Sequence, residues 1–223
     1  MMRGHEPEII AGMKQASATV WAKLQGVGPI SDEAHVLEVG SGAHGLIFYF
    51  GANRVGVDPL AHHYASLFPE WQRSAATVSA CGESLPFPDS SFDVVLCDNV
   101  VDHAEMPARI ASEIVRVLAP SGVLYFTVNV HHAFYSLASG LHGLSQRLGV
   151  PFEVGPFADH TVHLTVRGAR NLFACQPLQV IHETTNFEAA RERARRPPRH
   201  FGDRLKRIFF KNAVYELIAV RNR

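Results

Sequence analysis

The feature that most constrains this chain is the alternation, from residue 36 onward, of apolar runs of four to eight residues with longer segments of helical spacing. Runs this short, bounded by Gly, Pro, Asp and Ser, read as strands, and strands that alternate with helices build a mostly parallel sheet covered on both faces. The runs place strands at 36–40 (VLEVG), 54–58 (RVGVD), 76–80 (ATVSA), 93–98 (DVVLCD) and 123–130 (VLYFTVNV). Two more candidates follow at 178–187 (LQVIHETTNF) and 213–221 (AVYELIAVR). Ahead of them, Ile9, Ile10, Met13, Val20, Trp21 and Leu24 recur at broadly helical spacing over 6–25, and Gly26 to Pro29 stop the helix. A second helix is expected in ARIASEIVRVLAPSG, with Ile110, Ile114, Val117 and Leu118 on one face and Pro120 and Gly122 ending it. A third is expected at 133–148, inside a stretch rich in Gly, Pro and His that runs from 131 to 165.

At 223 residues and 47% hydrophobic content the chain has the length of one α/β domain and the composition of one with a packed core. The expected layout is a covering helix over 1–30, a ligand-binding core over 34–130, a substrate-side insert over 131–175 and a final strand pair over 176–223. Three widely spaced cysteines suit neither a disulfide framework nor a CxxC metal site, and the 13 histidines are scattered. No metal is therefore expected. With no apolar leader and no run of 18 apolar residues, the expectation is a cytoplasmic protein with no membrane partner.

The 21 basic and 21 acidic residues cancel, which excludes a protein that is basic all over. The cancellation hides a distribution. Residues 191–211 (RERARRPPRHFGDRLKRIFFK) hold nine basic and two acidic residues, leaving 12 basic and 19 acidic elsewhere. Such a run is usually a solvated face, and it has no nucleic-acid signature. It is compatible with an anionic small-molecule substrate or with an acidic patch on a partner subunit, in a monomer or a homodimer.

The first strand ends in VLEVG and is followed by SGAHG, so Gly40, Gly42 and Gly45 fall at a strand-to-helix turn, where missing side chains let backbone approach a ligand. Asp58 closes the second strand 18 residues after Gly40, near the spacing of an acid that bonds a ribose hydroxyl pair. Nicotinamide enzymes and adenosylmethionine enzymes both use an acid in this way, and the glycines alone do not separate them.

Three further stretches carry a resemblance. VLEVGSG with VGVDPLAHHY, CGESLPFPDSSFDVVLCDNVVDH and EIVRVLAPSGVLYFTVN resemble successive blocks of the class I S-adenosylmethionine-dependent methyltransferases, in particular the small methyltransferase-11-type domains. The likeness runs over about 34–130. It implies a Rossmann-like doubly wound α/β fold with a seven-stranded sheet of order 3-2-1-4-5-7-6, the last strand antiparallel. It also implies S-adenosyl-L-methionine as cofactor and S-adenosyl-L-homocysteine as product. By the same resemblance Glu38 faces the cofactor's ammonium, and Gly40 and Gly42 let the backbone pass beneath it. Asp58 takes the ribose hydroxyls, Gly82 and Glu83 border the adenine, and Asp98 and Asn99 lie beside the methionine part.

The chain departs from the family at three points. His44 stands where the family shows a third glycine, Cys81 where an aspartate bonds the adenine, and APSG where KPGG is usual. The reaction implied is methyl transfer to a small-molecule acceptor, driven mainly by positioning. Where an acceptor needs a base, His131, directly after the fifth strand, and His160, in DHTVHLT, are the candidates. His103, in VVDH, reads as a structural hydrogen-bonding group. The helix over 6–25 is expected above the cofactor pocket, with Trp21 and Met13 as its apolar face. The competing readings are a nicotinamide-dependent oxidoreductase and a non-catalytic binding protein on a degenerate methyltransferase fold.

Overall fold

The computed structural model describes residues 6–51, 53–131, 162, 164–195 and 213–223. Seven strands form where the apolar runs place them: β1 Val36–Val39, β2 Arg54–Val57, β3 Ala76–Val78, β4 Phe92–Asp98, β5 Leu118–Val130, β6 Leu178–Thr185 and β7 Ala213–Arg221. They make one sheet of order β3-β2-β1-β4-β5-β7-β6. The pairings among β1 to β5 are parallel, and β7 runs antiparallel to both β5 and β6. This is the implied architecture.

Alternate residues of β1, β4, β5 and β7 feed two cores, as the pleat requires. On one face Leu37, Val39, Val95, Cys97, Leu124, Phe126 and Leu217 pack with α4 (Pro107–Val117), whose Ile110, Ile114 and Val117 are buried as its spacing predicts. Two further helices, α5 (Val166–Asn171) and α6 (Phe187–Arg195), lie later in the chain, and Ala169 and Ala190 join that core. On the other face Val36, Val94, Leu96, Val123, Tyr125 and Ile218 pack with Val20 and Leu24 of α1 (Glu6–Gln25). Burying each such aliphatic side chain is worth about 1.5–3 kcal/mol.

Two expectations are corrected. The glycine loop leads into a four-residue 3-10 turn, Leu46–Tyr49, and not into a full helix. Its residues Leu46, Ile47 and Phe48, with Phe50 just after, are all buried, so the segment has no polar face with which to form a surface helix. The helix that covers this part of the sheet is α1. The Ser17 hydroxyl donates to the Leu46 carbonyl at 3.3 Å, Trp21 meets Phe50 edge-on at 5.3 Å, and Lys23 Nζ pairs with Glu216 at 2.6 Å. Helix α1 therefore seals the second core, no described residue of it lines the cavity described below, and Met13 and Trp21 belong to that core.

The second correction concerns APSG. Helix α4 ends at Val117, and Leu118 to Gly122 run as the first, irregular part of β5, with a register break between Phe92 and Val94. Pro120 forces the preceding residue toward extended backbone, which ends the helix earlier than its apolar face alone suggests. Ser121 then sits at φ 64°, a left-handed conformation that favours glycine. The helix expected at 133–148 and residue His160 lie outside the described residues, as does the basic segment beyond residue 195. Among the described residues no helix is long and apolar enough to cross a membrane, and no group of His, Cys, Asp or Glu is arranged to hold a metal ion.

Candidate cofactor-binding site

A cavity of about 860 Å³ opens at the carboxyl ends of β1, β2 and β4, and its wall includes Gly40, Asp58, Gly82, Glu83 and Asn99. Open α/β sheets bind ligands at this edge, where strand order reverses, here between β1 and β4. Five of the eight residues expected around a cofactor thus line one cavity. The other three, Glu38, Gly42 and Asp98, stand behind it and support it.

Gly40 ends β1 at φ 76°, and a Cβ there would lie 2.3 Å from a methyl of Val100, so a side chain is excluded twice over. The amides of Gly40 and Ser41 both donate to the Val57 carbonyl, at 2.7 and 3.0 Å, which ties the loop to β2. Glu38, 2% exposed on β1, turns under the loop and accepts the Leu46 and Ile47 amides at 3.1 and 2.8 Å. Gly45 makes that possible, because a Cβ on it would meet a Glu38 carboxylate oxygen at 2.3 Å. Burial pushes the Glu38 carboxyl up to about 8 against the opposing pull of those two amides, and the nearby Asp98 and Asp58 charges push the same way. The first amides after the loop are therefore already taken by the Glu38 carboxyl group.

Asp58, just past β2, accepts the Leu60 amide on Oδ1 at 2.8 Å and the Gly42 amide on Oδ2 at 3.1 Å, which fixes its carboxylate in the cavity wall. Gly82 and Glu83 come from the loop between β3 and β4. A Cβ at Gly82 would press on Val39 and Ile110 at 3.0–3.2 Å. Farther along, this loop is stapled to α4 by Arg116, whose guanidinium donates to the Leu85 and Phe87 carbonyls at 3.0 and 2.8 Å and to Asp89 at 2.8 Å. The same group makes a two-pronged contact with Glu113 at 2.8 Å, and Glu113 accepts the Leu85 amide. The spacing of Glu113 and Arg116, one helical turn, was the signal for this clamp, and it explains why the LPF stretch and the E-x-x-R stretch occur together.

Beyond β4, Asn99 stands at φ 57° and its side-chain oxygen accepts the Asn129 amide at 3.2 Å, while Asp98 is bonded to the Thr127 hydroxyl. The buried Asp102 follows in a short 3-10 turn, Val101–His103, and accepts from Asn129 Nδ2 at 3.3 Å. His131 lies at the end of β5, 2% exposed, with its amide donating to the Leu164 carbonyl, and it is not part of the cavity wall. His103 is part of it: the ring is half exposed, with Nε2 3.9 Å from the Asp102 carboxylate. Cys81, also exposed, lines the wall beside Gly82. Sequence reasoning noted His103 without placing it at the site, because nothing in VVDH tells which way the turn after β4 points.

The family model of a methyltransferase domain matches residues 37–126. An uncharacterized methyltransferase of Mycolicibacterium vanbaalenii is 39% identical over 100 residues, covering 42% of this chain and 39% of its own. The chain thus spans about two fifths of the length of that curated relative. Among solved structures, a geranyl diphosphate methyltransferase in complex with S-adenosylmethionine has TM-score 0.65 at 16% identity, covering 99% of this chain and 91% of that one. The [4+2]-cyclase SpnF shares the fold at TM-score 0.58 and 17% identity, covering 85% and 75%. At such identities the structures speak for the fold, and the sequence match is to a methyltransferase domain over residues 37–126, the stretch whose motifs carry the resemblance.

Proposed function

We propose that this chain is an S-adenosylmethionine-dependent methyltransferase that transfers a methyl group to a small-molecule acceptor. The observation that carries the reading is the charge of the cavity. Asp58, Glu83 and Glu105 are in its wall, and among the described residues no Lys or Arg lines it. A nicotinamide dinucleotide brings a pyrophosphate, which needs free backbone amides at a helix start or a cationic side chain. Here the loop is followed by a 3-10 turn whose first amides are bonded to Glu38. A ligand that carries a sulfonium and an ammonium suits this acidic wall, and one that carries two phosphates does not.

In this reading Asp58 holds the ribose hydroxyls, the backbone at Gly40 passes close beneath the ligand, Gly82 and Glu83 border the adenine, and Asn99 with Asp98 behind it faces the methionine part. Glu38 and Gly42 act from behind the wall by fixing the loop and Asp58. The bound cofactor supplies the electrophilic methyl group. The chain's own part is to orient the two reactants and keep water out, for which Val39, Val57, Val100 and Ile110 give the cavity an apolar side. An acceptor that is a hydroxyl or a carbon acid needs a base, which the reading seeks among His131, His160 and the wall residue His103. Thermal unfolding tests the proposal: a melting temperature that rises with S-adenosylhomocysteine and is unmoved by NADH supports it, and the reverse pattern sinks it.

A further inference from the structure

The loop between β1 and β2 is gripped from outside the family motifs by one short helix, α3 (Pro69–Gln72), which follows α2 (Ala61–Leu67). Gln72 is 6% exposed, and its side-chain amide nitrogen donates to the carbonyls of Gly42 and Ala43, at 3.3 and 3.1 Å. The next residue, His44, has its ring against Trp71 at 3.9 Å between centroids and 5.6 Å from Phe68, and Phe68 and Trp71 are themselves stacked at 4.8 Å. His44 is the residue that stands where a third glycine is usual. With a ring at that position the loop acquires a handle, and α3 supplies the groups that hold it.

The consequence reaches the cavity through one residue. The carbonyl of Gly42 is held by Gln72, and the amide of the same residue donates to Asp58 Oδ2 at 3.1 Å. Asp58 is one of the acids in the cavity wall, and its other oxygen is held by its own turn at Leu60. The loop conformation needed for the Gly42 contact is left-handed, φ 54°. We propose that Gln72 is a positioning residue for the cofactor cavity, acting through Gly42 on the Asp58 carboxylate. This rests on the functional reading given above only for the identity of the ligand, and the grip on the loop does not depend on it.

The test is Gln72→Met, which keeps length and removes both donated bonds, with Gln72→Glu, which keeps shape and replaces the donor by an acceptor, as a second variant should the first fail to fold. Ile114→Val, in the core on α4 and outside the cavity wall, controls for general destabilisation. Calorimetry with S-adenosylhomocysteine reads the cavity, and hydrogen exchange at residues 42–45 reads the loop without any ligand. The clamp predicts at least tenfold weaker binding and at least tenfold faster loop exchange in both Gln72 variants, with binding by Ile114→Val within twofold of wild type. Unchanged affinity and unchanged exchange in the Gln72 variants would overturn it. Faster exchange with unchanged affinity would overturn the relay to Asp58. Wild-type protein that fails to bind S-adenosylhomocysteine would overturn the cofactor assignment, while the exchange rates would still decide whether Gln72 holds the loop.

Discussion

Replacing Arg116 by Met keeps most of the side chain's apolar stem and deletes the guanidinium that joins α4 to the loop carrying Gly82 and Glu83. The lost contacts are two bonds to the Leu85 and Phe87 carbonyls, one to Asp89 and the two-pronged pair with Glu113. The Asp89 contact is exposed and worth little. The Glu113 side chain is 11% exposed against 30% for Arg116, so the pair is largely shielded, and its removal leaves a carboxylate with one remaining donor, the Leu85 amide. Breaking a fully buried pair costs about 3–5 kcal/mol, and the partial exposure of Arg116 puts the expected loss near the lower bound, about 3 kcal/mol. For a domain of this size that lowers the melting temperature by roughly 6–12 °C. Urea unfolding should show the midpoint falling with an unchanged slope, and Arg116→Lys should recover less than half of the loss because it lacks the planar fork. A double-mutant cycle with Glu113→Gln should give a coupling of at least ~1 kcal/mol. A loss below about 1 kcal/mol in Arg116→Met would refute the view that this clamp holds the cavity loop.

Glu38 makes stability depend on pH. Its folded carboxyl sits at about 8 against an ordinary 4.5, so from pH 5 to pH 8 the folded state holds a proton that the unfolded state has released, and stability falls as pH rises through that window. Relative to wild type, Glu38→Gln should therefore gain several kcal/mol, roughly, between pH 5 and 8 and run parallel above that, in denaturant titrations at stepped pH; a flat difference throughout contradicts the assignment. Gly45→Ala places a methyl 2.3 Å from Glu38 and 2.5 Å from the Ser41 carbonyl, and it should cost about 2–3 kcal/mol in the same unfolding assay, whereas an Ala that is tolerated within 0.5 kcal/mol would show that the loop is not packed this tightly. Ser121→Gly relieves a left-handed residue and should raise stability by about 0.5 kcal/mol after the larger unfolded-state entropy of glycine is set against it; a loss of that size would say the serine side chain has a role of its own.

The central strands β4 and β5 were legible because most of their residues are buried, so each is written as a nearly continuous apolar run, whereas the edge strand β6 is mostly exposed and mixes apolar with polar residues. The sheet order was legible only through the resemblance, since periodicity does not say which strand lies beside which. Helix α4 announced its face but not its end: Pro120 restricts the residue before it to extended backbone, where the apolar pattern would have continued the helix. LIFYF after the glycine loop is apolar throughout and carries no periodic signal, so only the packing of α1 against it shows that no helix forms there. At the site, glycines and acids that close strands were readable because strand ends converge on one edge. Gln72 and Trp71 were not, because a four-residue helix between two loops has no pattern of its own and its importance lies in what it touches.

The central claim, that Asp58 and its surroundings form an adenosylmethionine cavity, is tested most directly by isothermal calorimetry of S-adenosylhomocysteine against wild type and Asp58→Ala. The account predicts saturable binding to wild type, at least tenfold weaker binding to the variant and no heat with NADH, since the lost contacts are hydrogen bonds to a charged acceptor worth about 1.5–3 kcal/mol. Equal affinities for the two proteins, or no binding to wild type, would contradict it.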